Sequence, residues 1–284
     1  MAGRTVAFAG LGLMGGSLAL ALRDRCKRLL AVDPDVGVRK LAIERGVVDV
    51  IAASPEDLLA EADLVILAAP VVQCLRLIER LPDLHPGAPV VMDLASTKVE
   101  IVRALERLPD RFDLLPAHPM CGKETGGLAN ATPELFSGAV LVFTPLERTS
   151  PAALDLGEEI AAVVRSTPLR MSPELHDAWV ASTSHLPYLL AAALAAATPE
   201  DVRALIGPGF RSTVRLAGSD PDMMADVLLT NRTEVRAALA GLKSELVVLE
   251  QILADGDGDL IRQALEAARR KYNRLLFPGT DRDA

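Results

Sequence analysis

Gly10-x-Gly12-x-x-Gly15 follows directly on the apolar run Thr5-Val-Ala-Phe-Ala9, and that junction could seat a pyrophosphate. A strand running into a glycine turn and then a helix over 17–22 brings backbone N–H groups and a positive helix end to bear on an anion. Gly10 permits the tight turn, Gly12 lets the backbone approach phosphates and Gly15 lets the helix lie close to the strand, with Leu13 and Met14 completing the turn. Glycine spacing alone is a weak signal. Here a second apolar run, Leu29–Val32, ends at Asp33, 18 residues after Gly15, where a carboxylate could accept from ribose hydroxyls. The pairing points to a dinucleotide. Asp33 favours NAD over NADP, because a 2′-phosphate would meet a like charge.

Four further segments could carry chemistry beside such a cofactor. Asp93-Leu-Ala-Ser96-Thr97-Lys98 reads as a strand end turning into a helix, where Ser96 either caps the helix or binds a ligand. Ala117-His118-Pro119-Met120-Cys121-Gly122-Lys123-Glu124 follows a strand and offers His118 for acid–base work near neutral pH. Thr183-Ser184-His185-Leu186-Pro187-Tyr188 places His185 early on an apolar helix, a setting in which a histidine is more often a satisfied core residue than a catalyst. Gly209-Phe-Arg211-Ser-Thr-Val-Arg215-Leu-Ala217 carries two arginines four apart. In an acidic protein they are the obvious clamp for a carboxylate, Arg215 more so than Arg211 because apolar residues flank it.

The elements that must position these groups alternate. Helix over 36–45, a helical stretch over 55–62, strand 64–69, helix 72–80, strand 90–93, helix 98–108, strand 113–116 and strand 139–143 follow one another, the last closing the series. This predicts an α/β fold, a Rossmann-type doubly wound and mainly parallel sheet over residues 1–171 that forms a dinucleotide-binding domain with ligands at the carboxyl ends of its strands. An all-α helical domain is expected over residues 172–284, for substrate and dimerisation. Within it Val235, Leu239, Leu242, Leu246, Leu249 and Leu253 recur at four, three, four, three, four, a seam of the coiled-coil type that suggests a homodimer.

Composition narrows the partners. The 284 residues carry a net charge of −8 and only 3% aromatics, which argues against a nucleic-acid partner. Cys26, Cys74 and Cys121 have neither paired nor metal-type spacing, so no metal site is expected and a reducing compartment fits. Residues 178–199 hold no Asp, Glu, Lys or Arg, but His185, Pro187 and three consecutive hydroxyl residues favour a buried helix over a membrane span. The amino terminus has no signal-type pattern, and a cytoplasmic location is expected.

Taken together, Gly-Leu-Gly-Leu-Met-Gly-Gly-Ser-Leu near the start, Asp-x-x-Ser-Thr-Lys at 93–98, His-Pro-Met-x-Gly at 118–122, Ser-His-Leu-Pro at 184–187 and Gly-Phe-Arg-x-x-x-Arg-Leu-Ala at 209–217 resemble the prephenate and arogenate dehydrogenases of tyrosine biosynthesis. The resemblance implies NAD-dependent oxidative decarboxylation of a cyclohexadienyl substrate. It implies His118 as the base for the substrate hydroxyl, Ser96 as its hydrogen-bonding neighbour and Arg215 as the carboxylate partner. His185, Tyr188 and Glu124 would lie about the substrate. Family members often carry His or Gln where Tyr188 stands and Trp where Met224 stands, so prephenate and arogenate both remain open. Two other readings are a β-hydroxy-acid dehydrogenase with a helical second domain, which should offer a lysine on the first helix of that domain, and a non-catalytic NAD-sensing dimer.

Overall fold

In the computed structural model, which describes residues 1–123 and 125–277, the first two thirds of the chain build one eight-stranded sheet. The elements run β1 (Thr5–Ala9), α1 (Leu13–Leu22), β2 (Arg28–Val32), α2 (Val36–Glu44), β3 (Val50–Ala52), β4 (Leu64–Leu67), α3 (Val71–Leu84), β5 (Val90–Asp93), α4 (Val99–Glu106), β6 (Asp113–Pro119), β7 (Val140–Phe143), α5 (Pro151–Val163) and β8 (Thr167–Arg170). Helices follow: α6 (Pro173–Val180), a π turn (Ala181–His185), α7 (Leu186–Ala197), α8 (Pro208–Val214), a 3₁₀ turn (Arg215–Gly218), α9 (Pro221–Thr230), α10 (Arg232–Asp255) and α11 (Gly258–Leu276).

Strand order is β3-β2-β1-β4-β5-β6-β7-β8. The chain winds outward from β1 to β3, then returns to the other side of β1, so the switch point lies between β1 and β4, where ligands of such sheets bind. Both faces of the sheet are covered. Val6, Phe8, Leu29, Ala31, Leu64 and Ile66 pack into one apolar core, and their neighbours Ala7, Ala9, Leu30, Val32, Val65 and Leu67 pack into the other. That explains why these strands read as unbroken apolar runs.

Several expectations are corrected. The helix after the glycines starts at Leu13 rather than Ser17, and 55–62 forms two 3₁₀ turns, Pro55–Asp57 and Leu59–Glu61, in place of a helix. β7 does not close the series: it runs antiparallel to β6, and β8 pairs parallel beyond it. Among its described residues the link from β6 to β7 contains no long helix to carry the chain across the sheet, so an antiparallel return is the accessible geometry. β8 and β3 escaped the pattern because the first is an exposed edge strand with Pro168 in it and the second has three residues.

The last strand ends at Arg170, but the compact units divide later, as Met1–Glu234 and Val235–Ala284. α6 belongs with the sheet because Asp177 accepts from the amides of Lys98 at 2.8 Å and Val99 at 2.9 Å, capping α4 from another helix. A cap of this kind is worth about 1 kcal/mol. Pro173–Ala197 is long and apolar enough to span a bilayer, yet α6 packs on α4, and α7 packs on α8 and on the turn at Arg215. In the second unit α10 leaves Leu246, Val247, Val248, Leu249 and Leu253 exposed.

Candidate active site

A cavity of about 910 Å³ opens at the carboxyl ends of β1, β4, β5 and β6. Gly12, Leu13 and Met14 line one side, Ala68 to Val71 the floor, Ser96 and His118 the far wall, and α9 contributes Asp222, Met223 and Asp226 together with its N-cap Asp220.

The glycine turn fits a dinucleotide on its own geometry. Gly10 sits at φ +99°, and a Cβ there would come within 2.8 Å of the Ala68 carbonyl oxygen. A Cβ on Gly15 would lie 2.2 Å from the Gly10 carbonyl oxygen, so that glycine is required by packing of α1 on the strand end. Gly12 differs, because a Cβ there would meet nothing within 4 Å. No protein atom demands a glycine at that position, and the space it leaves is cavity. Asp33 follows directly on β2, with one carboxylate oxygen accepting from the Leu11 amide at 2.9 Å and the other from the Asp35 amide at 3.0 Å, which fixes it beside the turn. Arg39 folds back beside it, donating to the carbonyls of Asp33 and Pro34 at 2.7 Å each.

Ser96 does not cap α4. Lys98 occupies the N-cap position and Asp177 supplies the side chain, which leaves Ser96 on the cavity wall. Thr97 instead meets Thr230 of α9, hydroxyl to hydroxyl at 2.9 Å. Lys98 is wholly buried and donates to the Asp93 carboxylate and, at 2.7 Å, to the Ala117 carbonyl. Asp93 also accepts from the amides of Ala95 at 2.9 Å and Ala117 at 3.3 Å. Burial pushes the Asp93 carboxyl above its ordinary range, and the Lys98 ammonium and the two amides oppose that shift. This pair stitches the end of β5 to the end of β6, and so sets Ser96 relative to His118.

His118 Nδ1 lies 2.8 Å from His176 Nε2, and His176 Nδ1 lies 2.7 Å from the Asp177 carboxylate. Burial first, and then the neighbouring charges of His176, Lys98 and His185, hold the His118 imidazole well below its usual pKa. It is therefore neutral at pH 7, in the form that can accept a proton. His185 is buried beside this group and does not line the cavity. Its Nδ1 is 3.2 Å from Asn231 Nδ2, which also donates to the Asp177 carbonyl at 2.7 Å. Burial, opposed by Asp177 and reinforced by His176, brings the His185 pKa down to about 4.

Tyr188 is half-buried on α7 and Arg215 is exposed at the start of the 3₁₀ turn that packs on α7; neither lines the cavity, and Glu124 lies outside the described residues. The sequence reading missed His176 and Asp177. An adjacent His-Asp pair one turn into a helix, in a chain with four histidines, was the available signal.

An open glycine turn at a sheet switch point, facing a serine and a neutral histidine across one cavity, defines a nucleotide-dependent oxidoreductase with a helical extension. Residues 18–166 match the nucleotide-binding domain of prephenate dehydrogenase and residues 172–267 match the prephenate dehydrogenase dimerization domain, so the chain belongs to the prephenate dehydrogenase family. It is 34% identical to a prephenate dehydrogenase of Bacillus subtilis over 81% of this chain and 65% of that protein, slightly under two thirds of the relative's length. A cyclohexadienyl dehydrogenase of Zymomonas mobilis is 29% identical over 98% of this chain and 97% of that protein. Among solved structures, the prephenate dehydrogenase of A. aeolicus in complex with hydroxyphenyl propionate and NAD+ superposes with a TM-score of 0.88 at 29% identity, over 97% of this chain and 99% of that one.

Proposed function

We propose that the chain oxidises and decarboxylates prephenate or arogenate, with NAD as oxidant. The observation that carries this reading is a neutral His118 beside Ser96, across one cavity from a glycine turn whose Gly12 faces open space. Gly10, Gly12, Leu13, Met14 and Gly15 hold the pyrophosphate, and Asp33 the adenosine ribose. The nicotinamide, when bound, accepts the hydride from the ring carbon that bears the hydroxyl.

His118 takes the hydroxyl proton as that carbon becomes a carbonyl, and Ser96 hydrogen-bonds the same oxygen. The electron pair of the departing carboxylate enters the ring, carbon dioxide leaves, and the resulting phenolate oxygen takes its proton back from His118. By the family resemblance Arg215 would pair with a substrate carboxylate and His185 and Tyr188 would lie near the side chain, which requires the substrate to reach beyond the cavity that Ser96 and His118 line. The hydroxy-acid reading is disfavoured because residues 173–197 contain no lysine, and Lys98 is committed to Asp93. A sensor would have no use for a half-buried, paired proton acceptor at the cavity wall.

A homodimer built on the exposed leucine and valine face of α10, in a cytoplasmic enzyme, completes the proposal; the match to a dimerization domain supports the dimer. The test is NADH formation together with carbon dioxide release in parallel assays of prephenate and arogenate. Turnover of either substrate is expected, and inactivity toward both refutes the reading.

A further inference from the structure

Behind His118 the proton positions can be assigned from the donors alone. Asp177 and His176 are both 1% exposed. The Asp177 carboxylate receives two backbone N–H groups, from Lys98 at one oxygen and Val99 at the other. With each oxygen accepting a backbone N–H, an Asp177 carboxylate offers only acceptor sites, so His176 Nδ1 is the donor at 2.7 Å. With that proton on Nδ1, the uncharged tautomer of His176 presents a lone pair at Nε2. The hydrogen in the 2.8 Å contact to His118 Nδ1 belongs to His118, and His118 Nε2 is left as the acceptor.

Asn231 imposes the reverse on His185. Its amide nitrogen donates to the Asp177 carbonyl, so the same nitrogen faces His185 Nδ1 as a donor and the His185 proton lies on Nε2. One buried cluster thus holds two histidines in opposite tautomers.

We propose that His176 and Asp177 are positioning residues that lock His118 in its Nδ1–H form and share the charge it acquires. When Nε2 bonds the substrate hydroxyl proton, the Nδ1 proton passes to His176 Nε2. His118 is neutral again, and the positive charge lies on His176 against the Asp177 carboxylate. The step moves protons only, and the phenolate formed later reverses it. This rests on the reading of His118 as the base. Among the described residues, the charged and titratable groups facing His118 are His176 and Asp177 from α6, Lys98 and Asp93 from the ends of α4 and β5, and His185 from the π turn.

The first test needs no variant. In ¹⁵N-histidine spectra of the whole protein at pH 7, His118 is expected protonated at Nδ1 and bare at Nε2, and His185 the reverse; a proton on His118 Nε2 overturns the proposal. The second is steady-state kinetics of the full chain with NAD and its substrate. His176→Ala should lower kcat by about 10²–10³-fold with KM changed by less than about threefold. His176→Gln, whose amide oxygen can still accept from His118, should recover about tenfold of that loss. A kcat for His176→Ala within about threefold of the parent, or no recovery in His176→Gln, refutes it. An unchanged kcat in His118→Ala would instead refute the base role and leave the tautomer result standing.

Discussion

At the β1 end of the cavity the working groups are backbone amides on glycines, whereas at the β5 and β6 ends they are side chains that hold one another. The first region leaves its space unfilled: around Gly12 a Cβ would touch nothing. The second leaves almost nothing unsatisfied, since Asp93, Lys98, His118, His176, Asp177 and Asn231 each have a partner in the cluster. A cofactor that arrives and leaves suits an open cradle of fixed dipoles, while a proton that must move by one bond suits a dry, pre-paired array. Damage should therefore propagate differently from the two ends, locally from the glycine end and widely from the polar one.

The sharpest break in this contrast is His118→Ala. Loss of the proton acceptor should reduce kcat by about 10²–10⁴-fold while NAD binding, followed by fluorescence titration, stays within about twofold. Equal losses in both would mean that the two ends are not separable.

Next comes Lys98→Met, which touches neither ligand in the proposed scheme. It leaves the Asp93 carboxylate buried without its cation, and chemical denaturation should show a loss of about 3–5 kcal/mol. Lys98 also disfavours the His118 imidazolium, so its removal should raise the His118 pKa and move the acid limb of kcat to higher pH. If the acid limb stays in place in a variant that still folds, the electrostatic link between Lys98 and His118 is absent.

The glycine end gives a paired test. Gly15→Ala forces a methyl onto the Gly10 carbonyl and should cost about 1–3 kcal/mol of stability. Gly12→Ala should leave stability within about 0.5 kcal/mol, as an unclashing site does, and weaken NAD about tenfold by filling the cradle. Similar melting temperatures for the two variants would remove the distinction between packing glycine and ligand glycine. A smaller effect is expected at Asp33. Asp33→Asn removes the charge that opposes a 2′-phosphate, and the ratio of kcat/KM for NAD over NADP should fall by up to about tenfold, on the order of 1.4 kcal/mol.

The same contrast governs what could be read from the sequence. Gly10, Gly12, Gly15 and Asp33 lie within 24 residues, and their function is encoded in local backbone geometry, so spacing exposes them. Strands β1, β2, β4 and β5 were legible because both their faces are buried and their apolar runs are continuous. The polar cluster draws on residues from Asp93 to Asn231, and Asp177 reaches Lys98 across 79 positions. The adjacent His176-Asp177 pair is a weak signal that fits a solvated helix face as well as a relay, and only the docking of α6 on α4 brings it to His118. Ser96 was legible as either a cap or a ligand-binding hydroxyl; it stands on the cavity wall, and the cap comes from Asp177, a side chain no local rule could nominate.

The smallest expected effect lies on the acid side of stability. His185 folds with a pKa of about 4 against an ordinary value of 6.5, because burial penalises its charged form. A depressed folded pKa means that the unfolded chain binds the proton more readily. The stabilisation is present above about pH 6.5 and is lost as pH falls through 6.5 toward 4. His118 adds in the same direction, since its imidazole is also held low. His185→Asn, which removes one titrating group, should melt less steeply with pH between 6.5 and 4.5 than the parent, by a few degrees over that interval. The glycine turn has no side chain that titrates, so Gly12→Ala should keep the parent's slope. Parallel slopes in the His185 variant would place the acid sensitivity outside the buried histidines, and would leave the dry end of the cavity no more responsive to protons than the open one.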